Sequence, residues 1–224
     1  MKILITAGAT REFFDPVRYI SNPSSGKMGY AIAAAARELG WDTELVSANV
    51  ALTPPEGVRL TKVTTGDEML AAACDLFPKC DILVKTAAVC DFRPKHYEPQ
   101  KRKKDGKNMI VEFEPTTDIL KTLAAGKRDT QTVVGFAAET QDIETYARKK
   151  LKEKNLDLIV ANLVGRGNVG AFGSDDNAVI LLGSREFRKE FSLAPKTEIA
   201  RLLMREIARF HAGKIRNFLS RKCV

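Results

Sequence analysis

The residues best suited to chemistry lie in one stretch, residues 15–29, Asp-Pro-Val-Arg-Tyr-Ile-Ser-Asn-Pro-Ser-Ser-Gly-Lys-Met-Gly. Asp15-Pro16 is a turn-forming pair, and Ser24-Ser25-Gly26 supplies short groups able to cap a helix that begins near Lys27 and runs through Met28, Ile32, Ala36 and Leu39. The first N–H groups of a helix lack partners and its dipole is positive there, so such a start attracts a phosphate or another anion. Asn22, Ser24 and Ser25 stand where a reacting group would sit. This is not the Walker phosphate loop, since Ser21 and Met28 occupy positions where that pattern needs Gly and Ser or Thr. An ordinary capped helix after a long loop would use the same residues, so the rest of the chain has to decide.

Other polar groups fall at predicted strand ends: Thr6-Ala7-Gly8, then Asp91, then Glu139-Thr140 after Gly135-Phe136-Ala137-Ala138. In a parallel sheet these share one rim. Ala87, Ala88, Ala137 and Ala138 are small enough for a flat ligand to approach the backbone, whereas Phe136 either packs on a base or fills the core. The run Lys101-Arg102-Lys103-Lys104 either closes over a nucleotide or is solvated. Lys150 and Lys154 are spaced to share one helix face, where like charges repel unless an anion lies between them. Two Lys clusters beside a helix-start phosphate loop favour a triphosphate over what either suggests alone. No Ser-His-Asp, Cys-His or paired-carboxylate set stands out, and Asp91 suits a ribose or magnesium partner better than a general base. The chemistry indicated is positioning and charge stabilisation: cations for a triphosphate, a metal, and a neutral donor such as Asn22 that holds an acyl-phosphate without competing as nucleophile.

The elements that must position these groups follow from the apolar pattern. Strands are predicted at Lys2 to Ala7, Thr43 to Ser47, Arg59 to Val63, Asp81 to Val89, Met109 to Phe113, Thr132 to Ala138 and Leu156 to Ala161. Helices are predicted at Lys27 to Leu39, Asp67 to Phe77, after the cap Thr116-Thr117-Asp118, at Asp142 to Lys154 and at Pro195 to Phe210. A Gly-rich loop covers Gly165 to Gly173, and Asn177 to Leu182 with Glu186 to Phe191 reads as an edge hairpin. The expected fold is α/β, a three-layer Rossmann-like mainly parallel sheet with an antiparallel edge hairpin, in a single domain spanning 1–224 with a long mobile loop or hairpin at about 91–108.

Hydrophobic content of 44% with 29% charged residues excludes a disordered chain, and no apolar run reaches the roughly 20 residues that span a bilayer. The opening apolar run is too short for a signal peptide. Cys74, Cys80, Cys90 and Cys223 form no Cys-x-x-Cys pair, and His96 and His211 are the only histidines, which argues against structural zinc and fits a reducing cytoplasm. The net charge of +8 favours an anionic ligand without choosing between nucleic acid and phosphorylated small molecules.

Several long motifs, in order, resemble those of phosphopantothenate-cysteine ligases: Thr6 to Glu12, Asp15 to Asn22, Ser24 to Gly29, Ala87 to Asp91, Lys101 to Lys104, Gly135 to Thr140 and Phe172 to Asp175. The resemblance implies a ligase that activates the carboxylate of 4'-phosphopantothenate with CTP as an acyl-cytidylate, releasing pyrophosphate, before the amine of L-cysteine displaces CMP. Magnesium would accompany CTP. On matching positions it implies that Asn22 steadies the acyl-cytidylate and Lys101 assists its formation. Ser24, Ser25, Gly26, Asp91, the stretch Thr117-Asp118-Ile119-Leu120, Phe136, Lys150 and Lys154 would bind nucleotide, and Arg18, Asn22, Ala87 and Ala88 the acid substrate. It also implies a homodimer, and because bacterial members often carry this domain fused behind a flavin-dependent decarboxylase, the chain is expected to be either a separately encoded ligase, with a separate decarboxylase as partner, or an excised domain. A cytoplasmic location is expected, with no nucleic-acid or membrane partner. Cys90 in place of Ala, Thr116-Thr117 in place of Asn-Pro and Leu163 in place of Asp depart from the family pattern.

Two other classes compete. A nicotinamide oxidoreductase would share the opening βαβ unit, but Gly8-Ala9-Thr10-Arg11-Glu12 lacks the Gly-x-Gly-x-x-Gly fingerprint and no acidic residue clearly ends the second strand. A nucleic-acid-binding protein would use the positive charge, but the Lys clusters lack interleaved aromatics, and Arg216 to Lys222 reads as a solvated tail.

Overall fold

The computed structural model describes residues 1–104, 106, 108–139, 141–163, 174–184 and 187–222. Thr140, the Gly165 to Gly173 loop, the Phe172-Gly173 part of its motif, and Glu186 lie outside the described residues.

Short apolar runs become buried strands because their neighbours on both sides are also strands and both faces are covered. In chain order the elements are β1 (Lys2–Gly8), β2 (Arg11–Phe13), β3 (Tyr19–Ser21), α1 (Lys27–Glu38), β4 (Asp42–Ala48), β5 (Arg59–Val63) and α2 (Gly66–Leu76). They continue with β6 (Ile82–Lys85), β7 (Phe92–Pro94), β8 (Phe113–Pro115), α3 (Ile119–Ala125), β9 (Thr132–Glu139), α4 (Ile143–Glu153), β10 (Leu158–Leu163), β11 (Asp176–Gly183), β12 (Arg188–Pro195) and α5 (Lys196–Lys222).

The eight-stranded sheet runs β12-β11-β10-β9-β6-β1-β4-β5. It is parallel from β5 to β10, and β11 and β12 add the antiparallel edge. Alternation along β1 sends Ile3 and Ile5 into the layer with α1 and α5, and Leu4 into the layer with α2, α3 and α4. After β1 the chain builds outward to β5, then returns to place β6 on the other side of β1. That reversal opens a crevice beyond the C-terminal strand ends, where ligands of such sheets gather.

The structure corrects several expected boundaries. β6 stops at Lys85 instead of reaching Val89. Beyond it the Thr86 and Ala88 N–H groups donate to the Thr6 and Gly8 carbonyls at 3.1 and 2.8 Å, so the chain stays tied to β1 while forming a wall of the crevice. The segment 91–108 opens with β7, and its partner strand is β8, displaced C-terminally from the expected Met109 to Phe113; together they form a small antiparallel ribbon. A second ribbon, β2 with β3, carries the Asp15-Pro16 turn, whose Asp15 carboxylate accepts the Val17 and Arg18 N–H groups at 2.8 Å each. α5 continues through the expected tail because His211 and Lys214 are anchored: Thr132 Oγ1 lies 2.9 Å from His211 Nδ1, and Lys214 Nζ lies 2.6 Å from Asp157 Oδ1.

Candidate active site

A cavity of about 360 Å³ occupies the crevice beyond β1, β6 and β9. One wall is the start of α1. Ser24 and Ser25 do not cap that helix: Gly26 takes the N-cap position at φ +78° with no side-chain cap, and the Ser24 hydroxyl accepts only the Gly26 N–H, at 3.4 Å. The left-handed backbone and the space explain the choice of residue, since a Cβ on Gly26 would stand 2.5 Å from Val50 Cγ2. The first intrahelical bond here runs from the Tyr30 N–H to the Gly26 carbonyl, so the first turn turns uncapped N–H groups toward the cavity that residues 24–29 line. This is stronger anion-binding geometry than the capped start expected from the serines.

The facing wall is Lys85 to Val89 with Asp91. Asn22 bridges the two: its Nδ2 donates to the Val89 carbonyl at 3.2 Å and to the Ala88 carbonyl at 3.4 Å. Cys90 is buried beneath this bridge, and its N–H donates to Thr10 Oγ1 at 3.1 Å. Phe136, Ala137 and Ala138 form the β9 side, and Phe136 also packs against the core while lining the cavity. The cavity therefore gathers Asn22, Ser24, Ser25, Gly26, Ala87, Ala88, Asp91 and Phe136.

Other expected site residues sit elsewhere. Lys154 does not wait for an anion shared with Lys150, since it pairs with Asp118 at 2.8 Å. Asp118 is the N-cap of α3, its carboxylate accepting the Lys121 N–H at 3.0 Å. Burial works to raise the Asp118 carboxyl, but Lys154 and that N–H outweigh it and hold it below the usual carboxylate range. The Ile119 and Leu120 side chains are core, and Thr117 is exposed, so these three do not line the cavity. Thr116, from the unusual Thr-Thr pair, instead binds the Asp91 segment: its N–H donates to the Asp91 carbonyl at 2.9 Å and its hydroxyl to the Cys90 carbonyl at 2.6 Å. Arg18 pairs with Asp15 and donates to the Arg102 carbonyl at 2.9 Å, joining the β2-β3 ribbon to the basic run. Lys101 is exposed and outside the cavity lining.

Lys85, Asn162, Asn177 and Lys196, outside the quoted motifs, also line the cavity, as does Lys27 of the Ser24 to Gly29 motif. Lys27 pairs with Asp175 at 2.6 Å, and buried Lys196 donates to the Ser174 carbonyl. Burial, reinforced by Lys27, pushes the Lys196 ammonium below its ordinary value. Asp91 is the only carboxylate in the described lining, and no group of three or more potential metal ligands exists among the described residues. That donor set fits magnesium carried by phosphates, which takes one or two carboxylates from protein, and does not fit an all-protein cage. Among the described residues no helix is long and apolar enough to cross a membrane.

Comparison with known proteins adds independent findings. Residues 1–210 match the family described as DNA/pantothenate metabolism flavoprotein C-terminal domain. The chain is 46% identical over 207 residues to the coenzyme A biosynthesis bifunctional protein CoaBC of Bacillus subtilis (strain 168), covering 92% of this chain and 50% of that protein. It is 45% identical over 210 residues to CoaBC of Escherichia coli (strain K12), covering 92% and 51%. The chain thus spans about half the length of the curated relatives it matches. A crystal structure of the C-terminal domain of CoaBC superposes with a TM-score of 0.78 at 42% identity, over 92% of this chain and 93% of that one. A Cab2 mutant in complex with phosphopantothenate-cysteine shares the fold at a TM-score of 0.78 and 18% identity, over 96% and 87%.

Proposed function

Because the chain belongs to the DNA/pantothenate metabolism flavoprotein C-terminal domain family, we propose that it is a ligase joining 4'-phosphopantothenate to L-cysteine, with CTP as the activating nucleotide. The observation that carries this reading is the uncapped start of α1 facing Asp91 across one cavity, with the neutral amide of Asn22 between them. That arrangement holds phosphate groups and presents a donor that is not a nucleophile. Likeness to CoaBC and to the Cab2 complex supports the same substrates.

In the first step a carboxylate oxygen of 4'-phosphopantothenate attacks the α-phosphorus of CTP and pyrophosphate leaves. In the second the amine of cysteine attacks the acyl carbon, CMP leaves, and the amine gives up a proton. The helix start and lysines stabilise charge on the phosphates. Phe136 and the small residues Ala137 and Ala138 form a surface for a flat base. Asn22 holds the acyl-phosphate, and its present bonds at 3.2 and 3.4 Å are long enough to yield to a ligand oxygen. Magnesium, which Asp91 would hold, would supply further neutralisation of the phosphate charge. Lys101 acts from the segment between β7 and β8 by closing over the bound nucleotide, and Arg18 donates to the Arg102 carbonyl of that segment. The same reading makes the protein a cytoplasmic homodimer with a separate flavin-dependent decarboxylase as partner.

Pyrophosphate release with CTP and 4'-phosphopantothenate, with and without cysteine and repeated with ATP, tests the proposal. Release dependent on the acid, faster with CTP, is expected; none with either nucleotide refutes it. The oxidoreductase alternative predicts a fluorescence change on titration with reduced nicotinamide cofactor, and we expect none.

A further inference from the structure

β6 reads Ile-Leu-Val-Lys, three fully buried apolar residues followed by a cation. Alternation puts Lys85 on the Leu83 side of the sheet, between Thr6 of β1 and Gly135 of β9, and its side chain lines the cavity. Most strand positions of this kind are apolar, and desolvating an ammonium is costly unless it has a partner. Lys27 and Lys196 on the cavity wall have Asp175 and the Ser174 carbonyl, and nearby Lys154 has Asp118. Lys85 makes no hydrogen bond or ion pair among the described residues.

We propose that Lys85 contacts the ligand directly, holding an oxygen of the nucleotide's phosphate chain from the β6 wall of the cavity. This rests on the reading that the cavity takes a nucleoside triphosphate. The charged groups acting on Lys85 are Asp91 beyond β6, Asp118 at the start of α3, and Lys150 and Lys154 at the end of α4. Because Asp118 is paired with Lys154, Asp91 is the carboxylate among these left to oppose the Lys85 ammonium. The uncapped start of α1 lines the same cavity, so a phosphate chain there has positive potential on two sides.

The free protein and its complex then differ in protonation. Burial pushes the Lys85 ammonium down to about 8, Lys154 and Lys150 act in the same direction, and Asp118 and Asp91 oppose them. A bound phosphate favours the charged form and raises that value again. Binding therefore takes up a proton above pH 8, and affinity falls as pH rises through that range, by up to about tenfold per pH unit.

The test is calorimetric titration of CTP into the wild-type protein, Lys85→Met and Lys85→Arg, at pH 7 and pH 9 and in buffers of different ionisation enthalpy. The expected result is that Lys85→Met weakens CTP roughly ten- to a hundredfold at pH 7, the range of a lost charge-assisted bond. Lys85→Arg should retain most of the affinity while losing the pH dependence and the proton uptake. A purely structural lysine would produce no proton uptake. Lys85→Met binding as tightly as wild type, with no proton uptake by wild type, overturns the assignment of Lys85 alone. Wild-type protein that binds neither CTP nor ATP overturns the nucleotide reading as well. Should Lys85→Met fail to fold, wild-type proton uptake and its loss in Lys85→Arg decide the matter.

Discussion

Replacing Asn22 by Asp separates the fold from the chemistry with a change of one amide. The Asn22 amide nitrogen donates to the Val89 and Ala88 carbonyls, and aspartate removes both bonds while setting a carboxylate against two carbonyl oxygens. A neutral hydrogen bond contributes roughly 0.5–1.5 kcal/mol net, and bonds as long as these belong at the low end, so their loss costs about 1 kcal/mol together. Repulsion in a half-buried position adds about as much again, for a total near ~2 kcal/mol. For a chain of this size that corresponds to a fall in Tm of about 4–8 °C. A donor that serves the reacting acyl-phosphate contributes much more to the rate, about 10²–10³-fold when removed. Thermal melts, CTP titration and pyrophosphate release, measured well below the variant's Tm, distinguish the two effects. The expected outcome is nucleotide binding near wild type, a modest drop in Tm, and product formation reduced at least a hundredfold. A lowered Tm with unchanged turnover would leave Asn22 as a structural bridge and remove it from the mechanism.

Lys101→Gln should leave Tm unchanged, because Lys101 is exposed, and should slow acid-dependent pyrophosphate release by about 10²-fold; an unaffected rate would confine Lys101 to the surface. Gly26→Ala should destabilise by about 1–2 kcal/mol, from the left-handed backbone and the contact with Val50, and weaken CTP binding; thermal melts with Val50→Ala as the relieving second change check the cause. His211 is buried, and burial first among its influences pulls its pKa below the ordinary value. The unfolded chain therefore takes up the proton first, so stability should fall as pH drops below about 6.5 and continue falling until the folded histidine titrates. His211→Gln should flatten that part of a pH-stability curve.

Much of this architecture is legible in residue order. The apolar runs at Ile3, Val46, Val133 and Ile159 are strands because each is short, β-branched and bounded by loop residues, and their alternation with helices implies the parallel sheet. The β2-β3 ribbon is not legible, since three-residue strands show no period, and of the β7-β8 ribbon a hairpin and a nearby strand are legible but not the bounds, because Pro94 and Pro115 argue against strands there. The strand expected as far as Val89 overreaches the observed β6 because the apolar residues Ala87 and Val89 serve a cavity wall as readily as a strand. At the site, Asn22, Gly26 and Asp91 were visible as loop residues at strand or helix ends. Lys85 was hidden because a cation inside an apolar run looks like an interruption. The Asp118–Lys154 pair was hidden because it joins the start of one helix to the end of another, a contact that only tertiary packing creates.

The anchoring of α5 bears on where this unit can be cut. The family match ends at residue 210, one position before His211. A chain shortened to that boundary would keep every residue of the cavity yet leave Thr132 without His211 and take Lys214 from Asp157. Asp157 would keep Lys127, at 2.9 Å, as its remaining ion-pair partner among the described residues. These contacts lie at the N-terminal ends of the strands, opposite the cavity. The boundary drawn by similarity is therefore shorter than the boundary drawn by folding, and the last turns of α5 belong to the foundation of a site that the other end of the same helix reaches through Lys196.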